Sequence, residues 1–222
     1  EAVVAQLENE IRAIEKLLRE ESLVLRHHRR MTAASLERLL EDCLTELALP
    51  DARFEVKFVE KGTFSAKGME QVEFLFSANR GEAVKPLAKI ISGGEVSRVM
   101  LALKSILARQ DLVPTLIFDE VDAGIGGATV QAVAEKLAHL AEHHQVLCVT
   151  HSSQIAAMAD GHYQLFKEAA ADRTLTMAAK LSADERREEL ARMLDGASID
   201  RVSLQHADSL LERAQRFKKA KA

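Results

Sequence analysis

The fold is decided by the stretch Thr115-Leu116-Ile117-Phe118-Asp119-Glu120, an apolar run that ends in two adjacent acids. Short apolar runs that follow a proline, here Pro114, and precede a glycine-rich loop are typical of buried strands in a parallel sheet. A second such run, residues 146–150, ends at His151, and an amphipathic helix is predicted between the two, from residue 129 to about 143. This strand–helix–strand order predicts an α/β fold, with a mostly parallel sheet flanked by helices on both faces.

Ligands of parallel sheets collect at the carboxyl ends of the strands, and Asp119, Glu120 and His151 all fall at such ends. Two carboxylates after a buried strand repel each other and lose hydration. Mg²⁺ would relieve this, because one carboxylate can hold the hydrated cation while the other orients a water toward a phosphate. His151, between the hydroxyls of Thr150 and Ser152, can donate a hydrogen bond to a terminal phosphate. The alternatives are acids that only cap a turn and an ordinary histidine.

The stretch Ser92-Gly93-Gly94-Glu95 opens a predicted amphipathic helix that runs to residue 109. Ser-x-x-Glu is the pattern of a capping box, in which Ser92 caps the helix and Glu95 reaches back to its amide. Capping does not need two glycines, which cost conformational entropy. Glycines at a helix start do let a phosphate approach the backbone amides. The glycine-rich loop at residues 122–127 could cross to a partner subunit, or simply connect to the next helix.

Residues 1–48 are predicted to form one helix, about 70 Å long. Its apolar side chains follow heptad spacing, which is typical of a coiled coil, and the seam falters near residues 27–30, where a break into two helices is the alternative. Strands are predicted at residues 53–60 and 71–77, a hairpin at 162–168 and 174–180, and a helical tail broken near Gly196. We therefore expect a coiled-coil arm at 1–49 and a separate α/β lobe at 50–222. The heptad positions are Leu7, Ile11, Ile14, Leu18 and Leu25.

The bulk composition is that of a soluble globular chain, with 222 residues, 47% hydrophobic and 29% charged. No apolar stretch approaches the roughly 20 residues of a membrane span. Cys43 and Cys148 are expected to be buried, reduced thiols of a reducing cytosol. Because the net charge is −4, contact with nucleic acid would have to come from local basic patches or from another part of the protein. The candidates, which could equally be solvated surface, are residues 27–30 and the tail residues Arg213, Arg216, Lys218, Lys219 and Lys221.

The phosphate-binding loop Gly-x-x-x-x-Gly-Lys-[Ser/Thr] does not occur in the sequence, and neither do a zinc-type spacing of cysteines and histidines or a Gly-x-Ser-x-Gly elbow. The sequence begins without methionine, within a helical pattern. We therefore expect this chain to be one lobe of a longer protein, carrying only part of an ATP site.

Four stretches resemble the RecN family, SMC-like ATPases of the ABC type that act in bacterial DNA repair. Residues 87–98 resemble the signature motif, and residues 115–127 resemble the Walker B strand and the D-loop. Residues 146–151 and 154–160 together resemble the His-switch region, with a departure at Ser152-Ser153 where an apolar residue and proline are expected, and the similarity continues through residues 186–194. The resemblance implies a head built from the two ends of one polypeptide, joined by an antiparallel coiled coil to which residues 1–48 belong.

The resemblance also implies that two heads form a homodimer around ATP and Mg²⁺. Asp119 would hold the metal through water, Glu120 would polarise the attacking water, and His151 would contact the γ-phosphate. The lobe alone, without the other lobe of its head, would be inactive. The nucleotide-binding residues would be Ser92, Gly93, Gly94 and Glu95, facing the γ-phosphate of the other head, and Asp122, reaching across the dimer.

The biological role implied by the resemblance is ATP-dependent repair of DNA double-strand breaks in the bacterial cytoplasm, at the nucleoid, by tethering DNA. Two alternatives stay open. One is a structural DNA-bridging module with incidental ATP turnover. The other, disfavoured by the heptad arm and the Asp-Ala-Gly loop, is the nucleotide-binding subunit of a transporter.

Overall fold

A computed structural model describes residues 1–90, 93–170, 173–196 and 199–220 of the chain. Contacts within the chain divide it into two units, Glu1–Thr45 with Leu49–Ile91 and Glu46–Ala48 with Ser92–Ala222. The long amino-terminal helix therefore groups with the segment that follows it. The predicted division into an arm at 1–49 and a lobe at 50–222 stays a prediction.

The first unit consists of one helix and a small antiparallel sheet. Helix α1 spans Ala2–Glu46 without a break, so the alternative of two helices separated near residues 27–30 is wrong. The two strands predicted at 53–60 and 71–77 are present as β1 (Arg53–Glu60) and β2 (Glu70–Ser77), which pair antiparallel, and the short strand β3 (Lys85–Pro86) pairs with β2. A single turn of 3₁₀ helix follows at Leu87–Lys89.

Only the carboxyl-terminal third of α1 contributes to the core of this unit. Leu40, Cys43 and Leu44 are buried, as are Phe54 and Phe76 of the sheet. Two carboxylates of α1 accept hydrogen bonds from the backbone of β1: Glu37 from Val56 N at 2.7 Å and Glu41 from Phe54 N at 3.3 Å. The heptad side chains nearer the amino terminus are exposed, among them Leu7, Ile11 and Ile14.

The predicted basic patch at residues 27–30 is partly used within this unit. Arg29 donates to the carbonyl oxygen of Lys67 at 2.8 Å, and the Arg30 guanidinium lies 5.8 Å from the centre of the Phe58 ring. Arg26, just before the patch, pairs with Glu70 at 2.8 Å. These cations fasten the helix to the hairpin, which accounts for their presence without nucleic acid.

The second unit alternates helices and strands in the predicted order. Strands β4 (Thr115–Asp119) and β5 (Gln145–Val149) are parallel neighbours, and β6 (Tyr163–Ala170) and β7 (Arg173–Lys180) form an antiparallel hairpin. None of the helices in the described ranges is both long and apolar enough to span a membrane. The helices of this unit are α2 (Gly93–Leu107), α3 (Gly127–Leu140), α4 (Ser153–Met158), α5 (Ala183–Asp195) and α6 (Arg201–Lys219).

Only one face of the β4–β5 sheet is covered within the described residues, contrary to the expectation of helices on both faces. Leu116 and Phe118 of β4 are buried, but Ile117 between them is 72% exposed, and Leu147 and Val149 of β5 are about half exposed. The apolar composition of these strands is typical of strands that are covered on both faces. It does not report which segment of the protein covers the second face.

The loop that leads into β4 is fastened by a buried histidine. Both ring nitrogens of His144 face carbonyl oxygens, Nδ1 at 2.8 Å from Val113 and Nε2 at 3.1 Å from Ala108. The next residue, Gln145, begins β5 and donates its backbone N–H to the Pro114 carbonyl at 2.9 Å. The starts of β4 and β5 are thus held together, which aligns their carboxyl ends.

Candidate nucleotide site

The two predicted acids lie at the carboxyl end of β4 and face solvent. Glu120 adopts φ = 55°, in the left-handed region that costs a residue with a Cβ about 1–2 kcal/mol. Non-glycine residues in this conformation are concentrated at functional sites. Because both acids are exposed, the loss of hydration expected from the sequence does not arise, and their oxygens are free to meet a ligand from solution.

His151 lies at the same rim of the sheet as the acids. Asp119 pairs in register with Val149, two residues before His151 on the neighbouring parallel strand. The imidazole side chain is 84% exposed. The structure therefore brings together the paired acids and the histidine that the sequence placed at strand ends.

Asp122, two residues beyond the acids, points inward. It is 2% exposed, and its Oδ2 accepts hydrogen bonds from the Thr150 hydroxyl and from the backbone N–H groups of His151 and Ser152, both at 3.2 Å. The same oxygen lies 3.5 Å from His151 Nδ1. Asp122 thus fastens the loop after β4 to the end of β5, a function that the sequence did not reveal. Contact between Asp122 and the nucleotide of another head stays a prediction.

The two glycines at the start of α2 let the helix approach the loop after β4. A Cβ built on Gly93 would lie 2.5 Å from Glu120 Oε2. A Cβ on Gly94 would lie 3.0 Å from the Cβ of Ala123 and 3.2 Å from the carbonyl oxygen of Glu120. Close packing within the chain is thus a second reason for these glycines, besides the approach of a phosphate. Ser92, and with it the predicted capping box with Glu95, lies outside the described residues.

Two further residues of α2 join it to β4 and its loop, and sequence reasoning did not single them out. The Ser97 hydroxyl donates to the carbonyl oxygen of Asp119 at 2.7 Å, and Arg98 Nη1 donates to that of Ala123 at 2.9 Å. Arg98 is buried. Burial lowers the pKa of its guanidinium, and the nearby Glu95 carboxylate opposes this shift. The sequence does hold one sign of this role, because Arg98 falls on the apolar side of an amphipathic helix, where a charged side chain needs a partner.

The residues at this rim fit a magnesium ion of the kind that is held mainly by water and phosphate. Among the described residues, no cluster of three or more acidic, histidine or cysteine side chains could hold a metal. Mg²⁺ in nucleotide sites commonly uses one or two carboxylates and keeps several waters. Asp119, exposed at the end of β4, can supply one such carboxylate.

Cys148 of β5 is not a nucleophile of this site. Burial, followed by the negative charges of Asp122 and Asp119, raises the pKa of its thiol to about 12. The thiolate is the reactive form. The expectation that both thiols are buried holds for Cys43, whereas Cys148 is only partly buried.

A cleft of about 690 Å³ runs along the edge of β5 that faces away from β4. Six consecutive residues, from Val146 to His151, line it, whereas no residue of β4 does. Gln164 and Leu165 of β6 form part of its other wall. At its polar end, Glu189 accepts hydrogen bonds from Gln164 Nε2 at 2.8 Å and from Arg192 Nη2 at 2.6 Å.

The basic tail is partly neutralised by acids of the chain. Lys218 pairs with Asp160 at 2.5 Å and Arg216 with Glu212 at 3.1 Å. Lys221 lies outside the described residues. The tail therefore offers fewer free cations for nucleic acid than its sequence implies.

No protein-family model matches the chain. Individual relatives do match: it is 41% identical to the DNA repair protein RecN of Halalkalibacterium halodurans over 219 residues, 97% of this chain and 39% of that protein. It is 46% identical to RecN of Treponema pallidum over 201 residues, 88% of this chain and 35% of the relative. It is 47% identical to RecN of Deinococcus radiodurans over 168 residues, which are 76% of this chain and 29% of the relative. The chain thus spans between 29% and 39% of these relatives' length.

Solved structures of SMC heads share the fold. The Smc head domain of Pyrococcus yayanosii, with a coiled coil and joint, superimposes with a TM-score of 0.56 at 20% identity, covering 86% of this chain and 34% of that one. The Smc head domain of Pyrococcus furiosus, with an extended coiled coil and bound to the C-terminal domain of ScpA, gives 0.50 at 21% identity, covering 85% and 44%. The fold is therefore that of an Smc head domain, and over the residues aligned with its relatives the chain belongs to the RecN family.

Proposed function

We propose that this chain supplies part of the head of an SMC-like ATPase that acts in DNA double-strand break repair. ATP bound between two such heads drives their dimerisation and the tethering of DNA. The observation that carries the proposal is the common rim of β4 and β5, where Asp119, Glu120 and His151 meet at the ends of parallel neighbours. Membership in the RecN family supplies the link to DNA repair. The protein acts in the bacterial cytoplasm, at the nucleoid.

The proposed chemistry assigns each residue at this rim a separate task. Asp119 binds hydrated Mg²⁺, which offsets the negative charge of the phosphates. Glu120 orients and polarises the attacking water, and its carboxylate is exposed to solvent at the end of β4. His151 donates a hydrogen bond to the γ-phosphate, a task that its exposed imidazole permits.

A second copy completes the site in this proposal. The amino terminus of α2, with Ser92, Gly93, Gly94 and Glu95, faces the γ-phosphate of the other head, where backbone N–H groups and the positive end of the helix favour an anion. Ser97 and Arg98 join this helix to the loop after β4. A displacement of α2 on dimerisation is therefore transmitted to Glu120 and Asp122 of the same chain.

A further lobe of the same protein is the proposed partner for the exposed parts of the sheet. The edge of β5 that borders the cleft pairs with no strand among the described residues. A strand that enters there would extend the parallel sheet and bring a phosphate-binding loop beside His151. The exposed apolar face at Ile117, Leu147 and Val149 would be covered by the same lobe.

The long helix α1 is proposed to be one strand of an antiparallel coiled coil. Its exposed apolar side chains at Leu7, Ile11 and Ile14 follow heptad spacing and would be buried by a second helix of the protein. DNA is proposed to bind mainly to the complete protein, because several cations of the two basic patches are already paired within this chain.

Glu120→Gln in the full-length protein tests the proposal. We expect ATP hydrolysis to fall by about 10²–10⁴-fold, the loss typical of a positioned base, while ATP binding and head dimerisation persist. Glu142→Gln, at an exposed glutamate in the turn between α3 and β5, is the matched control and should keep the normal rate. Normal hydrolysis by the Glu120→Gln protein would contradict the proposal. Whether that protein, held around ATP, still joins DNA ends separates an ATP-driven tether from a structural bridge.

A further inference from the structure

We propose that Arg186 of α5 is a positioning residue for His151, acting through helix α4. One nitrogen of its guanidinium, Nη2, lies within hydrogen-bond distance of three backbone carbonyl oxygens at the carboxyl end of α4. The distances are 2.9 Å to Ala156, 2.9 Å to Ala157 and 2.6 Å to Ala159. The inference rests on the proposed function, since it concerns the histidine assigned to the γ-phosphate.

Helix α4 needs such a partner because it is only six residues long. The last carbonyl groups of any helix have no donor within the helix, and short helices are marginal without tertiary support. Ala156 and Ala157 are each 4% exposed, so water does not readily replace a lost donor at this end. A cation there also interacts favourably with the helix dipole.

The segment that carries His151 is thereby fixed at both ends. At its start, Asp122 accepts hydrogen bonds from the backbone of His151 and Ser152. Helix α4 begins at the next residue, Ser153, and Arg186 holds its end. The imidazole itself is exposed, and 3.5 Å separates it from Asp122. The place from which the imidazole projects is therefore set by the backbone, which Asp122 and Arg186 hold.

The neighbouring arginine of α5 shows that this arrangement is specific to residue 186. Arg187 forms a two-point ion pair with Asp208 of α6, with nitrogen–oxygen distances of 2.5 and 2.7 Å. Arg186, in contrast, is partly buried: burial lowers the pKa of its guanidinium, and the negative charge of Asp160 opposes this shift. Arg187→Ala removes the same charge from the same helix without touching α4, and is the matched control.

The experiment measures ATP hydrolysis by the full-length protein in two backgrounds, wild type and His151→Ala. We expect Arg186→Ala to lower kcat roughly 10- to 100-fold in the wild-type background, the scale of a misplaced catalytic group. It should leave the Kd of a non-hydrolysable ATP analogue within about twofold, as expected for a group that does not touch the nucleotide. In the His151→Ala background it should have no further effect on kcat. Arg187→Ala should change kcat less than about twofold in both backgrounds.

Equal losses of kcat in both backgrounds would overturn the proposal, because Arg186 would then act on the whole fold rather than through His151. An unchanged rate in the wild-type background would also overturn it. If Arg186→Ala fails to fold, Arg186→Lys and Arg186→Gln replace it in the test. The lysine variant keeps a charged donor and should retain most of the hydrolysis rate, whereas the glutamine variant should lose most of that rate. Equal rates for the two would contradict the proposal. If His151→Ala itself hydrolyses ATP normally, the proposed function has failed instead.

Discussion

The carboxylate of Asp122 accepts a hydrogen bond from the backbone N–H of His151 at 3.2 Å and lies 3.5 Å from that residue's ring nitrogen Nδ1. This contact joins the loop that follows the paired acids to the strand end that carries the histidine. Two segments distant in sequence are thus held as one structural group, and the geometry of the proposed site depends on a buried carboxylate rather than on the sheet alone.

Removal of the Asp122 carboxylate is expected to destabilise the fold. Asp122→Ala leaves the Thr150 hydroxyl and the N–H groups of His151 and Ser152 without their acceptor. A loss of roughly 3 kcal/mol in the free energy of unfolding follows, since buried unsatisfied donors are costly. Urea denaturation measures it. Glu188→Ala, at an exposed position of α5, should change stability by less than about 0.5 kcal/mol, and an equal loss for both variants would contradict this account.

Because the backbone at Glu120 is left-handed, we expect glycine to be tolerated better than alanine at this position, the reverse of the usual order in a helix. Glycine adopts φ = 55° without strain, whereas alanine does not. We expect Glu120→Gly to be more stable than Glu120→Ala by roughly 1 kcal/mol, although both should lack hydrolysis. At Glu135, inside helix α3, the order should be the usual one, with the glycine variant about 1 kcal/mol less stable. Thermal unfolding of the four variants decides, and the same order at both positions would refute the prediction.

Added methyl groups at the start of α2 should separate activity from stability. At Gly93 the new Cβ meets the end of the flexible Glu120 side chain, which can move, so Gly93→Ala should lower hydrolysis with little loss of stability. At Gly94 the Cβ meets the backbone of the loop, and Gly94→Ala should cost roughly 1–3 kcal/mol in the free energy of unfolding. Gly161→Ala, where the nearest atom lies 3.9 Å away, is the control. Equal stability of the Gly93→Ala and Gly94→Ala variants would contradict this prediction, because the loop backbone would then move aside as easily as the Glu120 side chain.

The environment of Cys148 predicts slow alkylation and a particular pH dependence. Its pKa is raised from the ordinary 9.0 of a cysteine thiol to about 12, so the folded protein favours the neutral thiol. This contribution to stability is complete below the unfolded pKa and is lost as pH rises through the window from about 9 to 12. In a Cys43→Ala background, iodoacetamide should modify Cys148 much faster in urea than in buffer at pH 8.5. Equal rates in both solutions would contradict the raised pKa.

Much of the fold was predictable because strand and helix periods are local properties. The strands β1 and β2, the hairpin of β6 and β7, the parallel pair of β4 and β5 and the break near Gly196 all follow from patterning and turn residues. The rim shared by Asp119 and His151 was predictable too, because parallel strands end on one side of a sheet.

The directions of particular side chains were not predictable, because they depend on contacts between distant segments. Asp122 points inward because three hydrogen-bond donors after β5, on Thr150, His151 and Ser152, meet its carboxylate. These residues are about 30 positions away, so the sequence near residue 122 does not reveal them. Gly94 lies so close to the left-handed turn at Glu120 that a Cβ would come within 3.2 Å of the Glu120 carbonyl oxygen, a contact between residues 26 positions apart. Arg186 meets α4 only after the β6–β7 hairpin has reversed the chain.

The measurement that most directly tests the shared site is ATP hydrolysis by a mixture of two variants of the full-length protein. Glu120→Gln disables the water-activating acid, and Ser92→Arg blocks the helix start that is proposed to face the other head. Each should be inactive alone. Mixed in equal amounts, they should recover about a quarter of the wild-type rate, because half of the dimers are mixed and one of their two sites is intact. A mixture as inactive as its two components would contradict a site built from two copies of the head.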